Sequence, residues 1–168
     1  ALTTDIDMFP PENNAIIIVF DNVISNPGGN YDDVTGKYNG ACVADFFVKI
    51  NYKFKGSSSS ILNHNIVPID VTTKLYYAHP VFGTLVIGDQ ITNFTKTEYS
   101  DDEFYYVTHE FVVREVQVDP GSQIFVLARY DDDFANNGTG SLQILAGSQF
   151  WNEPTQIFLQ DGDTFYLN

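Results

Sequence analysis

The chain has one cysteine, one tryptophan and one methionine in 168 residues, and only eight lysines and arginines. A single cysteine, Cys42, excludes an intrachain disulfide, so cysteine count does not set the redox compartment. Its setting in Cys42-Val43-Ala44 reads as a small core residue, with a reactive thiol as the alternative. The few basic residues stand against 22 acidic ones, a formal net charge of −14. That balance argues against nucleic acid, whose phosphates need basic partners, and against an anionic membrane surface. It permits cations or basic partners. No run of about twenty apolar residues occurs, so neither a transmembrane helix nor membrane insertion is expected. Ala1 opens without a charged segment and an apolar stretch behind it, and the chain is expected to be mature or trimmed.

Signatures of catalysis are missing as well. There is no G-x-S-x-G elbow, no H-E-x-x-H and no glycine-rich phosphate loop. His64, His79 and His109 are scattered without ligand spacing, which points to structural or surface histidines rather than zinc. A pair of carboxylates could hydrolyse a glycoside, but no pattern assigns one. The expectation is a protein that is not an enzyme, with a carbohydrate-active sandwich as the catalytic alternative. Heptads, Gly-x-y runs and internal repeats are also lacking.

What is present is apolar and aromatic. Hydrophobic residues make up 43% and aromatics 15%, ample for one domain with a sizeable core. An edge strand is expected around Ile6–Phe9, a buried one over Ala15–Phe20 and a short start at Tyr38–Gly40. Cys42–Phe54 alternates from Phe46 onward, as a strand with one buried face does. Further strands are expected over Ile61–Val71, Thr73–Ala78, Val81–Ile87, Ile91–Tyr99, Tyr105–Val118, Gln123–Tyr130 and Ser141–Leu145, then Ile157–Leu159 and Thr164–Leu167. Breaks are expected near Pro68 and Asp70 and at Gly88-Asp89. Many short strands with turn signals between them indicate an all-β sandwich or barrel.

The most specific stretch is Phe20–Tyr38. An apolar strand end runs into Asn26-Pro27-Gly28-Gly29-Asn30, then Tyr31-Asp32, then Thr35-Gly36-Lys37-Tyr38. Glycine tolerates positive φ and proline fixes its own, so the chain is driven through tight turns. Asp32 can accept bonds from turn amides, and Tyr31 delivers an amphipathic ring. This order, continued to Phe46, resembles the globular head of the C1q family within the C1q/tumour-necrosis-factor superfamily. The structural motif residues are Asn26, Gly28, Gly29, Tyr31, Asp32, Gly36, Tyr38 and Phe46. Phe111–Val118, the Pro120-Gly121 turn and Gln123–Val126 resemble that family's penultimate hairpin. Its closing strand is echoed by Gly140–Leu145, so residues 147–168 stand as a C-terminal extension of a single domain over 1–168. The resemblance implies a jelly-roll β-sandwich of about ten strands, assembled as a homotrimer and serving as a recognition head.

Adjacent aromatics at Phe46-Phe47, Tyr76-Tyr77 and Tyr105-Tyr106 should point to opposite sides of their strands, leaving one ring of each pair outward unless bulges or loops bury both. Two acidic clusters could offer calcium its hard oxygen ligands: Asp101-Asp102-Glu103, and Asp131-Asp132-Asp133 with Asn136 and Asn137. Neither has the spaced EF-hand pattern. The resemblance favours Asp101 and Asp102, and a solvated acidic loop is the plain alternative for each cluster. Asn93-Phe94-Thr95 and Asn137-Gly138-Thr139 fit the N-glycosylation pattern. Trp151 could stack on a sugar or anchor the extension to the sandwich. The resulting expectation is a secreted or particle-surface trimer, calcium a possible cofactor, that binds protein or carbohydrate through surface loops. A viral or phage surface or capsid jelly roll is the alternative.

Overall fold

A computed structural model describes residues 1–8, 15–23, 29–55, 69–94, 104–132 and 141–154. Eleven strands occur among them. They are β1 (Ile6–Asp7), β2 (Ala15–Ile17), β3 (Tyr31–Asp32), β4 (Lys37–Tyr38), β5 (Cys42–Lys55), β6 (Ile69–His79), β7 (Gly83–Phe94), β8 (Phe104–Val118), β9 (Gln123–Asp132), β10 (Ser141–Ile144) and β11 (Gln149–Pro154). Every pairing is antiparallel.

The first sheet runs β1, β10, β5, β8, with β11 on the same side of β5 as β10. β10 pairs with the end of β5 at Tyr52–Lys55 and β11 with its beginning at Ala44–Lys49, so the two act as one interrupted strand. The second sheet runs β3, β4, β9, β6, β7, with β2 also against β9. Counting β2 to β4 as one segment and β10 with β11 as another leaves eight strands. They are ordered 1-8-3-6 in one sheet and 2-7-4-5 in the other. That order is a jelly roll, the fold class expected from the sequence.

Alternation decides what each strand buries. On β5, Ala44, Phe46, Val48, Ile50, Tyr52 and Phe54 all point inward and are buried. They meet Val71, Leu75 and Tyr77 of β6 and Ile124, Val126, Ala128 and Tyr130 of β9 in one continuous core. The aromatic doublets divide as their spacing requires. Phe46, Tyr77 and Tyr105 belong to the core or pack on it. Their neighbours face out, and each has company. Phe47 stacks on Trp151, centroids 5.0 Å apart and 5° from parallel. Tyr76 stacks on Phe125 at 5.4 Å. Tyr106 is 65% exposed, with the Lys53 ammonium 6.0 Å from its ring.

The expected breaks at Asp70 and at Gly88-Asp89 are absent, and Pro68 lies outside the described residues. β6 runs unbroken through Asp70, whose outward carboxylate accepts a bond from the Asn93 amide of β7. β7 runs unbroken through Gly88. A Cβ on Gly88 would lie 2.6 Å from Val113 Cγ2 and 2.9 Å from Phe111 Cε2 on β8, so this glycine permits close packing between the sheets rather than a turn. Residues 149–154, inside the expected C-terminal extension, form β11. The expected strands at 157–159 and 164–167 lie outside the described residues.

A polar chain crosses the core. The Tyr52 hydroxyl meets Thr73 Oγ1 at 2.6 Å, Thr73 Oγ1 meets His109 Nδ1 at 2.8 Å, and His109 Nε2 meets Thr92 Oγ1 at 2.8 Å. Tyr52 and His109 come from one sheet, Thr73 and Thr92 from the other. A neutral imidazole, one nitrogen donating and the other accepting, completes the chain in either direction. His109 is fully buried, and burial lowers its pKa from 6.5 to about 4. Because the folded pKa lies below the unfolded one, the folded state disfavours proton uptake. Its contribution is complete above pH 6.5 and is lost as pH falls through about 4. His109→Leu removes that titration and leaves two threonine hydroxyls short of a partner, a cost of about 1–3 kcal/mol at neutral pH. We expect its melting temperature to lie below wild type at pH 7, with the gap narrowing between pH 6.5 and 4 in paired thermal melts.

Candidate functional site: an aromatic cavity at one end of the sandwich

The residues that carried the family resemblance converge at the end of the molecule where β5 begins and β11 ends. Tyr31 of β3 and Tyr38 of β4 pair across their hairpin and point between the sheets. The Tyr31 hydroxyl accepts the Phe20 amide at 2.9 Å. Burial raises the Tyr31 pKa, so it stays a neutral phenol. Asp32 closes the hairpin turn by accepting the amides of Val34 at 2.9 Å and Thr35 at 3.2 Å. The Val34 amide is the main reason its pKa lies below the usual carboxylate range. Gly29 and Gly36 both adopt positive φ, 66° and 74°. Gly36 also packs on the segment after β2, where an added Cβ would sit 2.6 Å from the Ile18 carbonyl oxygen. Asn26 and Gly28 lie outside the described residues.

Phe150 of β11 sits at the centre of these rings. Its centroid is 5.9 Å from Phe20, 6.0 Å from Phe46 and 6.4 Å from Tyr31. Tyr38 meets Phe46 edge-on at 5.6 Å. The Tyr38 hydroxyl lies 3.5 Å from Cys42 Sγ. Burial, reinforced by Cys42, raises its pKa to about 12, while a bond to the Asn152 side chain works the other way. Cys42 is half-buried and is a free thiol beside this hydroxyl.

Together these rings wall a cavity of about 630 Å³. Asn22, Asn30 and Asn152 bring amides to the wall, and Gln149 and Trp151, which alternate outward on β11, stand at its edge. Aromatic faces with a few convergent polar groups are the usual make-up of a ligand pocket, and this volume falls in the usual range. A β-bulge shapes the strands beside it. Asp45, flanked by the lining residues Ala44 and Phe46, faces both Arg114 and Glu115 on β8. Its carboxylate accepts Arg114 Nη1 at 2.9 Å and the Glu115 amide at 2.8 Å. Glu115 takes φ of 54°, the one non-glycine residue with positive φ among those described. Bulges of this kind cluster at sheet rims beside functional sites.

The β6–β7 turn lies at the same end. His79 Nδ1 accepts the amides of Val81 and Phe82 at 3.0 and 3.1 Å, and His79 Nε2 lies 3.2 Å from Asp119 Oδ2. The turn leaves Val81 78% and Phe82 81% exposed. His79 and His109 are thus structural.

Of the residues expected to hold calcium, Asp101, Asp102 and Asp133 lie outside the described residues. Asp131 and Asp132 are described only as the end of β9, their side chains excepted. Among the described residues no group of three or more His, Cys, Asp or Glu side chains is placed to hold a metal ion. Sequence reasoning missed Asn22, Asn30, Phe150 and Asn152 as parts of a site. The available signal was the run Phe150-Trp151-Asn152, whose alternation on β11 sends Phe150 and Asn152 between the sheets and Trp151 outward.

No protein-family model matches the sequence, and no curated protein matches it. Solved structures similar to the chain include the globular domain of zebrafish complement 1qA protein, at 9% identity and a TM-score of 0.35, over 79% of this chain and 86% of that one. A carbohydrate-binding module, CBM4, is similar at 10% identity and a TM-score of 0.37, over 77% of this chain and 67% of that one. TmCBM61, solved with β-1,4-galactotriose, is similar at 9% identity and a TM-score of 0.27, over 89% of this chain and 87% of that one. The fold assignment rests on the strand order itself.

Gly36→Ala should show how tightly the motif is held. Positive φ and the approach to Ile18 together should cost about 1–3 kcal/mol, read as a lowered denaturant midpoint with an unchanged slope.

Proposed function

We propose that this chain is a non-enzymatic recognition module that binds a protein or carbohydrate ligand at the end cavity and works as a homotrimer. The observation that carries the reading is the composition of the cavity wall. Rings supply apolar contact, amides supply orientation, and the described lining side chains include no carboxylate or imidazole. Such a wall suits holding a ligand: its phenols, Tyr31 and Tyr38, have raised pKa values and stay neutral, away from the range that general acid–base chemistry uses. The loops that frame the cavity sit on a rigid sandwich, the usual division of labour in a binding domain. The similarity of Phe20–Phe46 to C1q heads supports the same reading.

Support for self-association comes from the outer face of the first sheet. Phe104 and Tyr106 are exposed at one end of it and Trp151 towards the other, in one row with Phe47 and Val112 in the register of β11, β5 and β8. Three copies would cover these rings and hold three weak sites together, gaining avidity without new contacts. The net charge of −14 per copy opposes assembly. We assign the offset to calcium at Asp101 and Asp102, with the Asp131–Asp133 cluster as a second position. The module belongs outside the cell or on the surface of a particle.

Light scattering on the chain with millimolar calcium should give three times the 18.9 kDa of one copy, and a stable species of 18.9 kDa overturns the trimer. Calcium should raise the melting temperature and chelator should lower it; equal values in both remove the calcium assignment. A combined glycan and protein array should return at least one saturable ligand, and a blank on both ends the recognition reading.

A further inference from the structure

We infer that the end cavity is built for a neutral saccharide, held against the aromatic wall and bonded by the side-chain amides. This rests on the recognition reading above and narrows it to one ligand chemistry. A sugar ring presents two surfaces: a patch of C–H groups and a rim of hydroxyls. Each hydroxyl both donates and accepts. A carboxylate only accepts and an ammonium only donates, but an Asn or Gln side chain does both from adjacent atoms. Asn22, Asn30, Gln149 and Asn152 all line the cavity, drawn from opposite ends of the sequence. In a chain with 22 acidic residues, the described lining side chains carry neither carboxylate nor basic group. The side chains of the site therefore offer hydroxyl-matching groups, and the charge among the described lining groups is the Ala1 ammonium, bonded to the Asn22 carbonyl.

The aromatic wall is rigid before any ligand arrives. Phe150 is locked among three rings within 6.4 Å, and the near-parallel Phe46 ring lies at 21° to it. Ordered aromatics lose little entropy on binding, which matters for a small, heavily hydrated ligand. The volume of about 630 Å³ accommodates a short oligosaccharide. An acidic sugar or a phosphorylated nucleotide would find one cation among the described groups of this wall, the Ala1 ammonium, already donating to the Asn22 carbonyl at 2.9 Å, against the field of the −14 chain around it.

The test is an array of neutral, uronic-acid-containing and sialylated oligosaccharides, with uncharged nucleosides and short aromatic peptides as competitors. It is run on the full chain and on Asn22→Leu, Asn152→Leu and Asn152→Gln, each first checked by circular dichroism and thermal melting. Neutral glycans should bind best, with acidic ones about tenfold weaker or more. Asn22→Leu and Asn152→Leu should each weaken neutral-glycan binding about tenfold, the loss of roughly one good contact, and Asn152→Gln should retain part of it. If either variant fails to fold, Asn30→Ala replaces it. A preference for acidic glycans, nucleosides or peptides overturns the inference, as does neutral-glycan binding that survives both substitutions, or no glycan binding at all. The recognition reading falls separately, only when neither glycan nor protein binds.

Discussion

The polar chain from Tyr52 through Thr73 and His109 to Thr92 fixes how the two sheets face each other. Apolar packing alone is non-directional and would tolerate small slides of one layer over the other. A buried hydroxyl or imidazole nitrogen without a partner is costly, so this line of bonds makes one alignment much better than its neighbours. It ties β5 and β8 to β6 and β7, on the side of the sandwich where Gly88 also lets the sheets come closest. The opposite side, between β11 and the β3–β4 hairpin, has rings in place of such bonds, and the cavity lies there. Tight closure on one flank and an aromatic-lined opening on the other are two results of the same inter-sheet geometry.

The same geometry explains how a chain with 15% aromatics can send rings outward. Each outward ring of a doublet rests on a neighbour: Phe47 on Trp151, Tyr76 on Phe125, Tyr106 beside Lys53. Lys37 lies 5.5 Å from the Phe125 ring and Lys53 4.3 Å from that of Phe104. The scarce basic residues are thus used partly as covers for aromatic faces, where a cation over a ring is favourable. The aliphatic stems of these lysines hide apolar surface while their heads stay in water.

Much of this was legible in the sequence, for identifiable reasons. The alternation of β5 and β8 is regular enough to reveal both strands and their buried faces. The doublets follow directly from a period of two. Asp70 and Gly88 misled because polarity and glycine usually mark turns. Here Asp70 points outward from a continuous strand, and Gly88 makes room for Phe111 and Val113. The motif around Tyr31, Asp32 and Gly36 was visible as tight backbone geometry, but its contribution to a cavity was not. Tyr31 and Phe150 are distant along the chain and meet only because β11 pairs with the start of β5 in one sheet while the β3–β4 hairpin faces it from the other. No local pattern encodes that neighbourhood.

The division of the final strand into β10 and β11 has a consequence for where this domain can be cut. β11 alone covers the hydrogen-bonding edge of β5 from Ala44 to Lys49, on the flank opposite β8. A chain ending at Gly147 would keep β10 and lose that cover. The uncovered stretch, Ala44-Asp45-Phe46-Phe47-Val48-Lys49, holds two phenylalanines and a valine between its two charges. Open edges of that kind recruit strands from other molecules. Residues 149–154 therefore act as a guard against sticking as well as a wall of the cavity.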